Sequence, residues 1–180
     1  MIYVTSDLHF GHNRPFLYQP RGFNSIEEHD NTIIQNWNNV ITDSDDVYVL
    51  GDLMLGDINY GLNCLGQLKG RIRIIIGNHD TDNKIQHYYD LPNVVEIADV
   101  LIIKYNKYRF YLSHYPTITS NINDKHYFLI NLYGHTHQQT NFYGNNGFMY
   151  HVGLDSHNNT PITLDQIIQD IQKRKDTQGA

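Results

Sequence analysis

The chain has 180 residues, enough for one domain with a core of its own, and carries a net charge of -6 with a pI near 5.9. Its basic residues cluster only at Lys69-Gly70-Arg71-Ile72-Arg73 and Lys173-Arg174-Lys175, which argues against a face that holds long duplex nucleic acid. Hydrophobic residues make up 40%, yet no run approaches the roughly 18 apolar residues of a membrane span, and the single Cys64 excludes an internal disulfide framework. Met1-Ile2-Tyr3 leads straight into a strand with no basic n-region or cleavage site, so a cytoplasmic location is the expectation.

Residues 1–4 are a short apolar run that reads as a buried first strand, followed by Thr5-Ser6-Asp7-Leu8-His9-Phe10-Gly11-His12-Asn13. Ser25-Ile26-Glu27-Glu28 forms a capping box, and Ile26, Ile33, Ile34, Trp37, Val40 and Ile41 keep helical spacing, which predicts a helix over 25–40. Val47-Tyr48-Val49-Leu50 is a second buried strand, ending at Gly51-Asp52. A helix is expected over 58–68, then a third strand over 71–76 ending at Gly77-Asn78-His79-Asp80, then a short helical stretch over 82–90. Strand and helix alternate, which indicates βαβ units on a parallel sheet. The polar residues fall each time just past the carboxyl end of a strand, the edge where open α/β sheets bind ligands.

The second half changes character. Residues 94–104 and 108–112 are strand-like, separated by Asn106-Lys107 as a hairpin turn, and the second run ends at Ser113-His114-Tyr115-Pro116. An Asn- and Ser-rich loop over 117–126 leads to a strand over 127–133 and then Gly134-His135-Thr136-His137. Residues 141–143 and 148–152 read as a hairpin around Gly144-Asn145-Asn146-Gly147. Thr163 with Gln166 repeats the capping signature before a helix over 163–174. Residues 1–175 are thus read as one domain and 176–180 as a disordered tail.

An Asp and a His two apart in extended chain share a face, and a carboxylate with an imidazole suits a divalent ion of the manganese, iron or zinc kind. Alone, Asp7 with His9 is as well explained by a cap or surface turn. The rest of the chain decides. Five strand-end clusters carry ligand-type side chains: Asp7 with His9, Asp52, Asn78 with His79, His114, and His135 with His137. Together they exceed the needs of a single ion. Two ions about 3.5–4 Å apart need a shared ligand, and a carboxylate such as Asp52 can bridge where a neutral imidazole cannot. The set describes a binuclear hydrolytic site.

In order and strand-end placement, Asp7-x-His9, Gly51-Asp52, Gly77-Asn78-His79-Asp80, His114 and Gly134-His135-x-His137 resemble the motif set of the calcineurin-like metallophosphoesterases. The opening Asp-Leu-His-Phe-Gly-His, and Val152-Gly153-Leu154-Asp155 with Pro161 after it, resemble a small bacterial and phage branch of that superfamily. The resemblance covers the chain to about residue 172 and implies an α/β fold: a βαβαβ-based sandwich of two mixed sheets flanked by helices, in four layers α/β/β/α. It implies that Asp7, His9 and His137 hold one metal ion, that Asn78, His114 and His135 hold another, and that Asp52 bridges them. Manganese is the first expectation, with iron, zinc, nickel or cobalt as alternatives. It implies further that a bridging hydroxide attacks phosphorus and that His79 donates to a phosphoryl or leaving oxygen, with Asp80 orienting His79.

His12 either reaches the phosphate or leaving group from the first loop or hydrogen-bonds that loop. Asn13 and Arg14 are weaker candidates, Arg14 for gripping a phosphate. His29, His87, His126 and His157 read as surface residues, His151 as either a contact behind the site or a plain core residue, and Tyr115 and Tyr143 as candidates for the pocket wall.

Gly51-Asp52 continues Leu53-Met54-Leu55-Gly56-Asp57. The resemblance to protein phosphatases would instead require Asp-Arg-Gly there and a longer chain, and that to the repair nucleases a His after the Asp and added DNA-binding domains. No cap insertion separates the motifs, so an open site for small phosphodiesters, cyclic or dinucleotide-like, is the first expectation and a phosphomonoesterase the second. A nuclease working with a partner and a non-catalytic binding module are the remaining readings. The family resemblance also suggests a homodimer.

Overall fold

Strands rich in Val, Ile and Leu suit a parallel sheet covered by helices, and four such strands lie side by side in the computed structural model, which describes residues 1–117 and 129–178. These are β1 (Ile2–Thr5), β2 (Asp46–Leu50), β3 (Arg71–Ile75) and β4 (Val94–Ala98), all parallel, with β10 (Ile162–Thr163) antiparallel on the outer side of β1. Thr5 pairs with Val49 and Leu50 with Ile75, so the segments beyond these strands emerge at one edge. A second mixed sheet runs in the order β5 (Leu101–Tyr105), β6 (Tyr108–Leu112), β7 (Leu129–Tyr133), β9 (Asn146–His151), β8 (Phe142–Tyr143). Its central strands β6, β7 and β9 are parallel, which brings the ends of β6 and β7 to a common edge as well.

The strand-like run over 94–104 is in fact two strands in different sheets. β4 closes the first sheet beside β3, the chain turns at Asp99-Val100, and β5 opens the second. Both halves are strand-like in composition, and only Asp99 interrupts the run where it breaks. The hairpin at Asn106 holds, with Asn106 at φ 54° as such a turn requires. The expected loop beyond Thr117, His126 and the first two residues of the 127–133 strand lie outside the described residues.

α1 (Pro15–Tyr18) is a single turn with Pro at its start. α2 (Ile26–Val40) is capped by Ser25, whose side chain accepts the Glu28 N–H. Its buried face carries Ile26, Ile33 and Trp37, but also His29 and Asp30. With α3 (Ile58–Gly66) and α4 (Asp82–Tyr88), α2 covers the outer face of the first sheet through Trp37, Leu65 and Tyr88. Each such fully buried aliphatic or aromatic side chain contributes roughly 1.5–3 kcal/mol. α5 (Leu164–Gln178) packs on β1, β9 and β10, and its Leu164, Ile167 and Ile171 join Val4, Leu50, Phe110 and Leu132 in the core between the sheets. The helix continues through residues expected to be tail, up to Gln178. No helix among the described residues is long and apolar enough to cross a membrane.

The sheets meet where β1 and β7 end. A methyl group on Gly134 would stand 2.4 Å from Ser6 Oγ and 2.6 Å from Asp7 Oδ2, closer than any real contact. Gly134→Ala should therefore destabilise the protein by roughly 1–3 kcal/mol through overpacking, read as a lower urea midpoint for metal-stripped protein. An unchanged midpoint would mean that the two strand ends part easily.

Candidate metal centre

Five of the expected ligands adopt backbone that most residues avoid. Asp7 (φ 58°), His9 (50°), Asp52 (56°), His135 (66°) and His137 (47°) are all left-handed. Such positions cost of order 1–3 kcal/mol where the side chain is not glycine, and persist where the surroundings impose them. Here the strand ends are tied across to one another: Asp7 N–H donates to Gly51 O, His9 N–H to Asp52 O and Gly134 N–H to His114 O, each at 3.0 Å. Asp7 and His9 therefore lie together beyond the end of β1, each in a left-handed kink, rather than on one face of an extended strand.

Two groups of facing ligand atoms result. Asp7, His9 and His137 offer atoms all within 4.8 Å of one another, and so do Asp52, His114 and His135. His9 Nε2 is 3.3 Å from His137 Nε2. His114 Nε2 is 2.8 Å from Asn78 Oδ1 and 3.2 Å from His135 Nδ1. Asp52 faces both groups with one oxygen: its Oδ2 is 3.7 Å from His9 Nε2 and 3.5 Å from His114 Nε2, while its Oδ1 accepts the His79 N–H at 2.8 Å. Asp7 is held from the other sheet, its Oδ2 accepting the His135 N–H at 3.0 Å and the Ser6 hydroxyl at 2.6 Å.

The hydrogen bonds identify which ring nitrogens are free. His114 Nδ1 is 2.8 Å from the Leu50 carbonyl, which can only accept, so Nδ1 carries the proton and Nε2 turns a lone pair toward Asn78 Oδ1. His137 Nδ1 is 3.1 Å from Asp155 Oδ2, which leaves its Nε2 lone pair facing His9. Carboxylate, amide and imidazole atoms converge in both groups at distances that suit a shared cation. Burial, with Arg21 and His137 nearby, holds His9 well below its ordinary pKa, and burial with His114 lowers His135. Neutral imidazole is the form that binds metal. The donor set therefore fits divalent ions.

A cavity of about 500 Å³ opens over both groups. His9, Asp52, Asn78, His135 and His137 form one side of it, and His12 and His79 reach it as well. Phe16, Leu17, Pro20 and Leu55 make an apolar wall, and no Lys or Arg among the described residues lines it.

Residues 1–154 match the calcineurin-like phosphoesterase superfamily domain. The chain belongs to that superfamily. That superfamily is one of metal-dependent phosphoesterases, and the two groups of ligand atoms here are candidate metal sites. An uncharacterized protein of Methanocaldococcus jannaschii is 33% identical over 182 residues, spanning 97% of this chain and 93% of the relative. The gene 66 protein of Mycobacterium phage D29 is 28% identical over 199 residues, spanning 96% and 98%. The crystal structure of a protein of unknown function from Aquifex aeolicus shares the fold, with a TM-score of 0.68 at 23% identity over 94% of this chain and 98% of that one.

His12 lines the cavity with its ring centroid 5.3 Å from that of His9 and its Nδ1 buried without a partner, whereas Asn13 and Arg14 are exposed and outside the lining. Tyr115 packs edge-on against His135 at 4.8 Å, though it does not line this cavity. His151 is fully buried, and its Nδ1 bonds Ser156 Oγ at 2.8 Å. Three expectations need correction. His29 is completely buried on α2 rather than at the surface, and His157 stacks on Tyr150. Asp80 does not turn to the His79 ring. Its Oδ2 accepts N–H groups of Asp52 (2.8 Å) and Gly77 (2.9 Å), and its Oδ1 those of Leu53 (3.2 Å) and the Tyr88 hydroxyl (2.9 Å). The carboxylate is consumed in holding the Asp52 and Gly77 loops together.

Sequence reading missed Arg21, Lys84 and the work of Asp155. Lys84 Nζ donates to the carbonyls of His79 (2.7 Å) and Met54 (2.8 Å) from a buried position, which fixes the loop that carries His79. Nothing in the spacing of a lone Lys on a short helix announces such a bond.

Asp80→Asn exchanges two acceptor sites for donors and leaves at least one of the four buried partners unbonded. At roughly 1–3 kcal/mol for each orphaned group, the metal-stripped variant should unfold at markedly lower urea than the parent. A loss under ~0.5 kcal/mol would show that Asp80 is not the tie that the geometry describes.

Proposed function

We propose that the protein is a binuclear phosphodiesterase acting on small, nucleotide-like diesters, with Asp7, His9 and His137 holding one divalent ion, Asn78, His114 and His135 the other, and Asp52 shared. The observation that carries this reading is the single Asp52 oxygen within 3.7 Å of His9 Nε2 and 3.5 Å of His114 Nε2. Two ions held there would supply concentrated positive charge for a phosphoryl group and lower the pKa of water at the site. Manganese suits the mix of carboxylate, amide and imidazole donors.

The chain's own residues supply the rest. His79 and His12 stand over the cavity with ring centroids 6.4 Å apart, which places two imidazoles where a leaving oxygen needs a proton. Burial, then His79 and Arg14, lower the pKa of His12. A diester is favoured over a monoester by the wall opposite: without a lysine or arginine among the lining residues, a second negative charge has no side-chain partner, while Phe16, Leu17, Pro20 and Leu55 offer apolar surface to a substituent. Phe16 is 73% exposed and meets the His12 ring edge-on at 5.6 Å, open to stacking by a flat group. The cytoplasm is the proposed setting, which the single, buried Cys64 suits.

Metal-stripped protein reloaded with manganese should hydrolyse bis-p-nitrophenyl phosphate faster than p-nitrophenyl phosphate. Asp52→Asn should abolish turnover, and His79→Ala should lower kcat by about 10²–10⁴. Phe16→Ala should reduce kcat/KM on the aryl diester by about two- to tenfold through lost stacking. A preference for the monoester would transfer the assignment to phosphatase, and folded, metal-loaded protein that cleaves neither substrate would sink the proposal.

A further inference from the structure

Arg21 is the most heavily engaged cation in the molecule's interior, with none of its side chain exposed. Its Nε donates to Asp155 Oδ1 at 3.0 Å and its NH2 to Asp155 Oδ2 at 2.8 Å, a two-pronged pair. The same NH2 donates to the backbone carbonyl of Asp7 at 2.9 Å, and NH1 donates to His29 Nε2 at 3.0 Å. Because NH1 can only donate, His29 must accept through Nε2 and keep its proton on Nδ1, which lies 2.7 Å from Asp30 Oδ1. Asp30 Oδ2 in turn accepts the Gly11 N–H at 2.9 Å. The loop between Gly11 and Arg21 carries His12 and the apolar wall residues Phe16, Leu17 and Pro20. Both its ends are therefore fastened to the His29-Asp30 pair of α2.

At the far end of the chain of contacts, Asp155 Oδ2 receives the Nδ1 proton of His137 at 3.1 Å. Arg21 NH2 is 3.4 Å from that same Nδ1, and two donors cannot bond one another, so the carboxylate alone takes the ring proton. Arg21 thereby touches both the backbone of one member of the first ligand group and the group that aims another.

We propose that Arg21 and Asp155 are positioning residues for the first ligand group, holding Asp7 and His137 in the geometry that receives its ion, while the second group does not depend on them. In the second group, His114 rests on the Leu50 carbonyl and Asp52 on the His79 N–H, neither of which involves Arg21, and only the His135 N–H reaches Asp7, on its carboxylate rather than on the carbonyl that Arg21 holds. A removed carboxylate or guanidinium would leave the His137 ring free to turn and its partner buried without a mate. Lysine would not replace Arg21, since a single ammonium cannot span Asp155, Asp7 O and His29 at once.

The inference rests on the two-ion reading above, and one experiment separates them. Chelator-stripped protein is titrated with Mn2+ by calorimetry, with stoichiometry checked by elemental analysis and metal-free melting followed by circular dichroism. The parent should bind two ions; fewer than two would end the two-ion reading itself. In Arg21→Gln, Arg21→Lys and Asp155→Asn, one ion should weaken by about 10- to 100-fold and the other should keep its affinity, with the weakened site the one that remains intact in His114→Gln. If Arg21→Gln does not fold, Asp155→Asn, which keeps an oxygen for Arg21, carries the test. Two ions bound with parental affinity by folded variants would overturn the proposal, as would equal weakening of both ions, the signature of a merely structural loss.

Discussion

Two carboxylates and four imidazoles crowded at one sheet edge carry a cost in electrostatic repulsion, and this protein gathers them there. His114 Nε2, Asn78 Oδ1 and Asp52 Oδ2 in one group, and His9 Nε2, His137 Nε2 and Asp7 Oδ1 in the other, converge within a few ångströms. In the low dielectric of a site buried at Asp7, His9, Asp52 and His114, such repulsion is weakly screened. The remaining architecture is best understood as what resists it. Left-handed kinks aim the ligands inward, backbone N–H groups neutralise the outward-facing carboxylate oxygens, and glycines allow the loops to approach within contact distance.

Carboxylates divide into two kinds of work on this view. Asp7 and Asp52 each give some acceptor capacity to the backbone and present the rest to the centre. Asp80 and Asp155 present nothing to it. Asp80 gathers four donors and locks the Asp52 and Gly77 loops, while Asp155 joins Arg21 to His137. Burial disfavours the Asp155 carboxylate, but His137 and Arg21 more than compensate and hold its pKa well below the usual range. Burial likewise opposes a charge on His137, yet the Asp155 bond with Asp7 nearby raises its pKa. The Nδ1 proton stays on the Asp155 side of the ring in either state, which leaves Nε2 as the atom that faces the first ligand group. Conflict between local preference and assembled structure is what a functional site looks like in energetic terms.

Much of this could be read from the chain because the fold repeats one device. A buried strand runs to its carboxyl end and stops at a polar cluster, so hydrophobic runs mark where the ligands must be. The Asp7-x-His9 pair was legible for a reason its backbone does not use: the two side chains meet through paired left-handed kinks beyond β1, not through the two-residue period of an extended strand. Supporting residues were illegible because they answer to three-dimensional neighbours. Arg21 sits in a loop and bonds residues 134 positions away at Asp155, and Asp80 follows a catalytic-looking His whose ring it ignores. One signal was available. On α2, His29 and Asp30 fall at the spacing of the buried face between Ile26 and Ile33, so their burial, and a buried partner for them, followed from the helical period already in use. The break at Asp99-Val100 was marked by Asp99 alone, a turn-favouring residue inside an otherwise strand-like run.

The two ligand groups also explain why a small sandwich of two sheets is needed at all. Asp7, His9 and Asp52 emerge from the first sheet, and His114, His135 and His137 from the second, so each three-residue group draws on both. An ion in either group would be a crosslink between sheets that otherwise meet through apolar packing and a few backbone bonds at their edge. Binding to the folded state alone stabilises it by RT ln(1 + [L]/Kd), about 2.7 kcal/mol at a hundredfold excess over Kd. Such a crosslink would act at the sheet-to-sheet seam of Ser6, Asp7 and Gly134, where the Asp7 carboxylate already accepts the His135 N–H and no side chain fits on Gly134.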